Sequence, residues 1–350
     1  MTTTPEAYVH LNTDKTTLTF YYDTLRADRN GTTWGIREIR DRRRISLPAW
    51  AGYRHSPSTT VFTAVFDASF HDFCPTTTAG WFYEFKSLKS IEGLEHLNTS
   101  QVTDMGCMFS GCESLTSLDL TSFDTSKVTK MSSLFSGCAS LTSLDLTSFD
   151  TSKVKYMDWM FWNCRSLTSL DLTSFDTSQV TSLAAMFSGC ESLTSLDLTS
   201  FDTSQVTDMS SMFSGCASFT ALDLSRFDTS KVTDMIDMFY GCASLTSLDL
   251  SRFDTSKVTR MDKMFRGCRS LTALDLSSFD TSEVSYMRGM FYSCESLTTI
   301  YCNTLWSASH SDDMFSGCNS LRGAATNVGN SYDVSMANPE TGYFTKKVLS

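Results

Sequence analysis

The sequence predicts an α/β repeat solenoid, with a parallel sheet on one face, short helices on the other and β-rich caps at the ends. Three observations carry this. A period of 26 runs through the chain: cysteines fall at 112, 138, 164, 190, 216, 242, 268 and 294, and phenylalanines at 109, 135, 161, 187, 213, 239, 265 and 291 keep the same step. Within each period the apolar spacing switches from alternation to a helical stripe. Neither half of a period can bury its apolar face alone, so neighbouring units must cover one another.

One unit, Leu193 to Ser218, reads LTSLDLTSFDTSQVTDMSSMFSGCAS, and seven full units run from Leu115 to Ser296. LTSLDL sets Leu196 and Leu198 on one face and Ser195, Asp197 and Thr199 on the other, the pattern of a strand. Met209, Met212, Phe213 and Cys216 follow at i, i+3, i+4, i+7, the pattern of a short helix. Thr207 fits as its N-cap, with Asp208 well placed for the helix dipole. Gly215 fits as a left-handed residue ending it, with Asn163 and Ser293 in that place in two units. Leu118, Leu120, Phe123, Val128, Met131 and Phe135, with their equivalents, are expected to form internal ladders.

Terminal units of such a stack must hide its open ends. Residues 1–80 are expected to form an N-terminal capping region, 81–321 the solenoid and 322–350 a C-terminal cap. Tyr8 to Asp23 reads as a hairpin around Asn12-Thr13-Asp14-Lys15, and Val61 to Asp67 as another strand. At the far end the cysteine step shortens from 26 to 24, Cys294 to Cys318, which marks a closing coil. Gly342 to Thr345 fits a final edge strand.

The units resemble the BspA-type leucine-rich-repeat surface proteins, whose repeats follow FDTSxVTDMSxMFxGCxSLTSLDL; residues Phe201 to Leu224 carry that string with Phe219 in place of one Leu. The resemblance spans about residues 61–344. Gly80-Trp81-Phe82 through Leu94 is similar to the family's atypical first coil, and Ala337 through Phe344 to its closing segment. The resemblance implies a leucine-rich-repeat-like fold on a bacterial cell surface, attaching to host or microbial proteins. On this reading the chain is a non-enzymatic adhesion module; the alternative is a passive stalk displaying another domain.

Composition bounds the partners. The net charge of −11 repels phosphate backbones and anionic lipid, so nucleic acid is not expected. No stretch reaches the roughly 18 apolar residues that insertion in a bilayer needs. Met1-Thr-Thr-Thr-Pro lacks the basic and apolar regions of a signal peptide. The five arginines between Arg37 and Arg44 form the one basic cluster and read as a solvated loop, with an anion or partner site as the alternative.

Candidate chemistry is sparse. The eight periodic cysteines sit on the apolar stripe and read as buried free thiols; no paired CxxC suggests zinc. The histidines lie outside the regular units, there is no nucleophile motif, and no cofactor is expected. Asp124 and its equivalents in FDTS fit Asx turns. A second row, Asp119, Asp145, Asp171, Asp197, Asp223, Asp249 and Asp275, points outward. At about 5 Å apart these carboxylates repel, so the row could stay solvated, hold cations such as calcium or receive a basic partner. Finally, one unit carries Tyr156, Trp159 and Trp162 where others mostly have small or charged residues. Tyr240, Arg266 and Tyr292 take the place of Trp162 in later coils. Aromatic and arginine clusters of this kind anchor protein partners.

Overall fold

The structure, a computed structural model, describes residues 4–42, 45–324 and 331–347. It divides into two compact units, Met1–Phe175 and Asp176–Ser350, each described by itself.

The first unit opens with alternating, aromatic-rich segments that pair locally. β1 (Glu6–Leu11) and β2 (Thr17–Asp23) form the hairpin expected from their alternation, in the register Glu6↔Asp23 to Leu11↔Leu18. The turn closes because the Asn12 side chain accepts from the amides of Thr16 and Thr17. β3 (Thr32–Gly35) pairs antiparallel with β1, and β4 (Ile39–Arg42) with β5 (Ile45–Pro48). β6 (Thr63–Phe66) joins β2 in parallel, and β7 (Ser90–Glu92) joins β6. The sheet order β3-β1-β2-β6-β7 therefore turns from antiparallel to parallel, which is where the stack of coils begins. Phe20, Phe66, Phe70 and Trp81 fill the space beneath it and are all buried. At the outer edge Tyr8, Asp23 and Arg29 close a network: Tyr8 donates to Asp23 at 2.7 Å, and Arg29 to Tyr8 at 2.9 Å and to Asp23 at 2.8 Å.

The coils themselves correct one expectation. No α-helix occurs among the described residues. An α-helix needs N–H(i) to C=O(i−4) bonds. Here the amides of Met212, Ser214 and Cys216 close i to i−3 turns onto Met209, Ser211 and Phe213 at 3.2, 3.0 and 3.1 Å. The intervening amides of Met209, Ser211, Phe213 and Gly215 donate instead to the carbonyls of Asp234, Ile236, Met238 and Tyr240 in the next coil, at 3.2, 2.7, 3.0 and 2.6 Å. Two left-handed residues, Ser211 at φ 56° and Gly215 at φ 72°, sit third in their turns as type II geometry requires. A left-handed Ser costs roughly 1–2 kcal/mol, which the inter-coil bonds offset. Gly215, Asn163 and Ser293 are left-handed as expected, but they end turns rather than helices. Thr207 is not an N-cap: its hydroxyl donates to Thr181 O, while the Asp208 carboxylate accepts from Ser210 N.

LTSLDL also departs from expectation. Its leucines are buried and its Ser, Thr and Asp exposed, except that Leu118 is only half-buried. Regular strand pairing among these segments is confined to β8 (Ala273–Asp275) and β9 (Thr299–Tyr301), which β10 (Phe344–Thr345) completes in parallel as the closing edge. Elsewhere the parallel bridges fall a half-coil later, at Thr77, Asp104, Lys130 and Tyr156 in the first unit and at Ser182, Asp208, Asp234, Arg260, Tyr286 and His310 in the second.

Three internal ladders hold the coils in register. Phenylalanines stack face to face, Phe109 on Phe135 at 5.8 Å and Phe213 on Phe239 at 5.8 Å. Cysteine thiols donate to the phenylalanine carbonyl of the preceding coil, Cys138 to Phe109 at 3.2 Å and Cys216 to Phe187 at 3.2 Å. Buried threonines bridge forward: Thr203 donates to the carbonyl of Asp228 and accepts from its amide, both at 2.8 Å. Each buried Phe, Leu or Met contributes about 1.5–3 kcal/mol, and the polar ladders fix which coil face meets which. No helix among the described residues is long and apolar enough to cross a membrane.

Candidate partner-binding surfaces

The turn segment of each coil leaves many of its non-ladder side chains exposed or half-buried, and there the units differ. In the first unit Tyr156 and Trp159 are each 45% exposed. The Trp159 and Trp162 rings lie 5.7 Å apart at 44°; Trp162 is half-buried. Trp159 is left-handed at φ 62°, at the register that Cys107 and Ser133 hold at 55° and 57°. Its own turn forms normally, with Trp162 N donating to Trp159 O at 3.1 Å. Nearby charges are engaged: Asp158 accepts from Ser132 at 2.7 Å and Lys130 pairs with Asp104 at 3.3 Å.

In the second unit Tyr240, Arg266 and Tyr292 occupy one register of successive coils, since the amides of Gly215, Gly241 and Gly267 donate to their carbonyls in turn. Arg266 lies over the Tyr292 ring at 4.2 Å, while Tyr240 is 39% exposed. A parallel column was not singled out by sequence reasoning. Arg260 lies 5.3 Å over Tyr286, which stacks on His310 at 4.5 Å. The period carries Arg260 onto Tyr286; the shortened last step hid His310.

The same side of the second unit holds Asp234, Asp237 and Asp262. Asp262 is buried, accepting from Arg288 N at 3.3 Å with Arg260 3.6 Å away. Buried oxygens of Asp237 and Asp262 have no hydrogen-bond donor. Burial raises the Asp234 and Asp237 pKa values; neighbouring carboxylates add to this, and Lys263, Arg266 and Arg260 oppose it.

The outward row behaves differently. Asp119, Asp145, Asp171 and Asp197 each accept from the amide and hydroxyl of the threonine two residues on, at 2.9–3.0 and 2.7 Å. Asp223, Asp249 and Asp275 use Ser225, Ser251 and Ser277. The row is thus a second set of Asx turns beside Asp124 and its equivalents, where Ser126 N donates to Asp124. These donors lower the carboxylates' pKa at Asp119, Asp145, Asp171, Asp223 and Asp249. At Asp275 partial burial works the other way, but Lys347 and Ser277 outweigh it. Lys347 Nζ sits on the Asp275 carboxylate, so one row position takes a cation from the chain itself. Among the described residues, no group of three or more His, Cys, Asp or Glu could hold a metal ion.

The ladder cysteines are buried and unbridged, and desolvation raises the thiols of Cys112, Cys138, Cys216, Cys242 and Cys268, the last to about 12. Cys74 is exposed and Cys107 half-buried. Of the basic cluster, Arg37 and Arg40 are exposed; Arg43 and Arg44 lie outside the described residues.

Comparison with known proteins gives the following. No curated protein matches the chain. Among solved structures, a leucine-rich repeat protein from Bacteroides ovatus is similar over 91% of this chain and 92% of its own, at 17% identity and a TM-score of 0.34. A leucine rich cell surface protein from Faecalibacterium prausnitzii has the same identity and coverages, at a TM-score of 0.38. The functional domain of InlJ from Listeria monocytogenes, which includes a cysteine ladder, covers 66% of this chain and 65% of its own, at 17% identity and a TM-score of 0.18. A family model described as "Mycoplasma protein of unknown function, DUF285" matches three overlapping stretches, residues 76–192, 142–245 and 220–328. Those stretches cover most of the chain and follow its tandem repeats, and the chain belongs to the DUF285 family.

Proposed function

We propose that this tandem-repeat protein is a non-enzymatic protein-binding module, displayed on a bacterial surface as its BspA-type resemblance implies, with Tyr156, Trp159 and Trp162 as anchors. The observation that carries this is the exposed Trp159: a left-handed coil position that holds Ser133 or Ala185 elsewhere holds here a large ring. Large aromatics part-exposed on a rigid scaffold are the residues that dominate protein interfaces. Tyr240, Arg266 and Tyr292 supply a second, polar-aromatic surface. The aspartate row offers a place for basic side chains or calcium.

The test is capture of cell-surface proteins on immobilised protein, followed by titration of the best ligand. Trp159→Ala with Trp162→Ala should weaken that ligand by an order of magnitude or more. The fold should persist, because Met157, Met160, Phe161 and Cys164 remain buried in the ladder and Ala185 already occupies the Trp159 register at φ 51°. Unchanged affinity would move the site to the aspartate row. Absence of any ligand would favour a passive stalk.

A further inference from the structure

We propose that Trp159 and Trp162, on the coil that also exposes Tyr156, form an open cation–π acceptor that takes an arginine or lysine side chain of the partner, an inference that rests on the protein-binding reading and specifies its chemistry. Several exposed or part-exposed rings among the described residues already carry a cation. Arg29 lies 3.5 Å from the Tyr21 centroid, Lys89 5.6 Å from Phe62, Arg260 5.3 Å from Tyr286 and Arg266 4.2 Å from Tyr292. Among the described residues, no lysine or arginine lies over Tyr156, Trp159 or Trp162. Yet these include two indoles, the rings that hold cations best, 5.7 Å apart and tilted at 44°.

Charge selects the same guest. The chain carries −11 overall, which draws a cationic segment inward over long range. Beside the rings Asp158 contributes a carboxylate, and Lys130 is balanced by Asp104. The site therefore suits a cationic side chain. A ring pair built for apolar contact alone would gain nothing from this surround.

Two short peptides that differ in one side chain test it: acetylated, amidated Gly-Ser-Arg-Ser-Gly and its citrulline counterpart, which keeps the shape and loses the charge. Each is titrated into the ¹⁵N-labelled full chain while the indole N–H resonances are followed. The arginine peptide should shift the Trp159 and Trp162 resonances saturably, with the citrulline peptide about fivefold weaker or worse. In the protein carrying Trp159→Ala and Trp162→Ala, no saturable site for the arginine peptide should remain on this face. Equal shifts from both peptides would overturn the cation assignment, as would an arginine response that leaves both indoles unmoved. The two readings separate cleanly. Loss of ring-dependent protein capture with the peptide result intact removes the protein-binding role and keeps the cation site. Ring-dependent capture with equal peptide shifts keeps the role and removes the cation.

Discussion

The aspartates of the outward row and those of the turn-side trio are the same residue in opposite circumstances. Asp197 is exposed, yet a threonine two residues on gives it an amide and a hydroxyl. Asp262 is buried, yet one of its oxygens has no donor. Ordinary donors stabilise the charged form; burial penalises it. The row, which looks electrostatically costly from its spacing, is locally satisfied, and the strain lies in the trio, which the period does not reveal. The buried threonines give the reference case, since Thr203 is buried with both partners in place.

The largest effect is expected where a complete set of partners is removed. Thr203→Val leaves the amide and carbonyl of Asp228 without their hydroxyl, and should destabilise the protein by about 2 kcal/mol, read from urea unfolding. A change near zero would mean that water replaces the hydroxyl, and the contrast with the trio would collapse. Next comes the trio. Because burial raises the pKa of Asp234 and Asp237 above their unfolded values, the native state binds more protons than the unfolded one between those values. The destabilisation is therefore present at neutral pH and is relieved as pH falls through the raised folded pKa. Asp234→Asn with Asp237→Asn should add about 1 kcal/mol at pH 7, allowing for partial solvent screening, and little at pH 4. The check is calorimetric melting across that range; a gain that persists undiminished at pH 4 would break the assignment.

The smallest effect belongs to the row. Its lowered pKa values work in the other direction: that stability is present above the unfolded pKa and lost as pH falls through the folded one. Asp171→Asn, Asp197→Asn and Asp223→Asn together keep an oxygen for each Asx turn, so melting at pH 7 should barely move, while the acid limb of the stability curve should flatten. Millimolar calcium should raise the melting temperature of the unaltered chain slightly and that of the triple variant not at all. A calcium response equal in both would place any cation elsewhere.

Much of this was legible in the sequence. The period, the buried ladders, the hairpin at Asn12–Lys15, the closing strand near Phe344 and the left-handed Gly215, Asn163 and Ser293 all follow from spacing and residue type. The helix did not survive because i, i+3, i+4, i+7 burial is equally the signature of successive turns. The deciding residue is Ser211, left-handed in mid-segment, and the residues at its register, Trp159, Ala185, Asp237 and Lys263, share no side chain that announces it. Strand alternation in LTSLDL foretold burial but not pairing. The Asx role of Asp197 was readable, since Asp-Leu-Thr has the spacing already recognised in Asp-Thr-Ser. The trio was not, because Asp234, Asp237 and Asp262 meet only through stacking.

The alternating donation along each turn segment gives the stack a direction. In the second unit Leu183, Ala185, Phe187 and Gly189 donate to the coil ahead, and the same four registers repeat this in each described coil up to Met287, Gly289, Phe291 and Ser293. Each of these amides shares its peptide plane with a carbonyl pointing back, so four columns of peptide dipoles run side by side with their positive ends toward the C-terminal cap. That is the reverse of an α-helix, whose positive end lies at its N-terminus. Anions are favoured where the columns finish, near Asp312 and Asp313. The first unit has columns of its own, which begin at carbonyls that the Trp50 indole and the Gly52 amide cover at 2.9 Å each. The two kinds of cap therefore differ in more than shape: one supplies hydrogen to carbonyls, whereas at the other the Phe315 amide donates to the Tyr332 carbonyl at 3.0 Å, and exchanging them would set each against the field it meets.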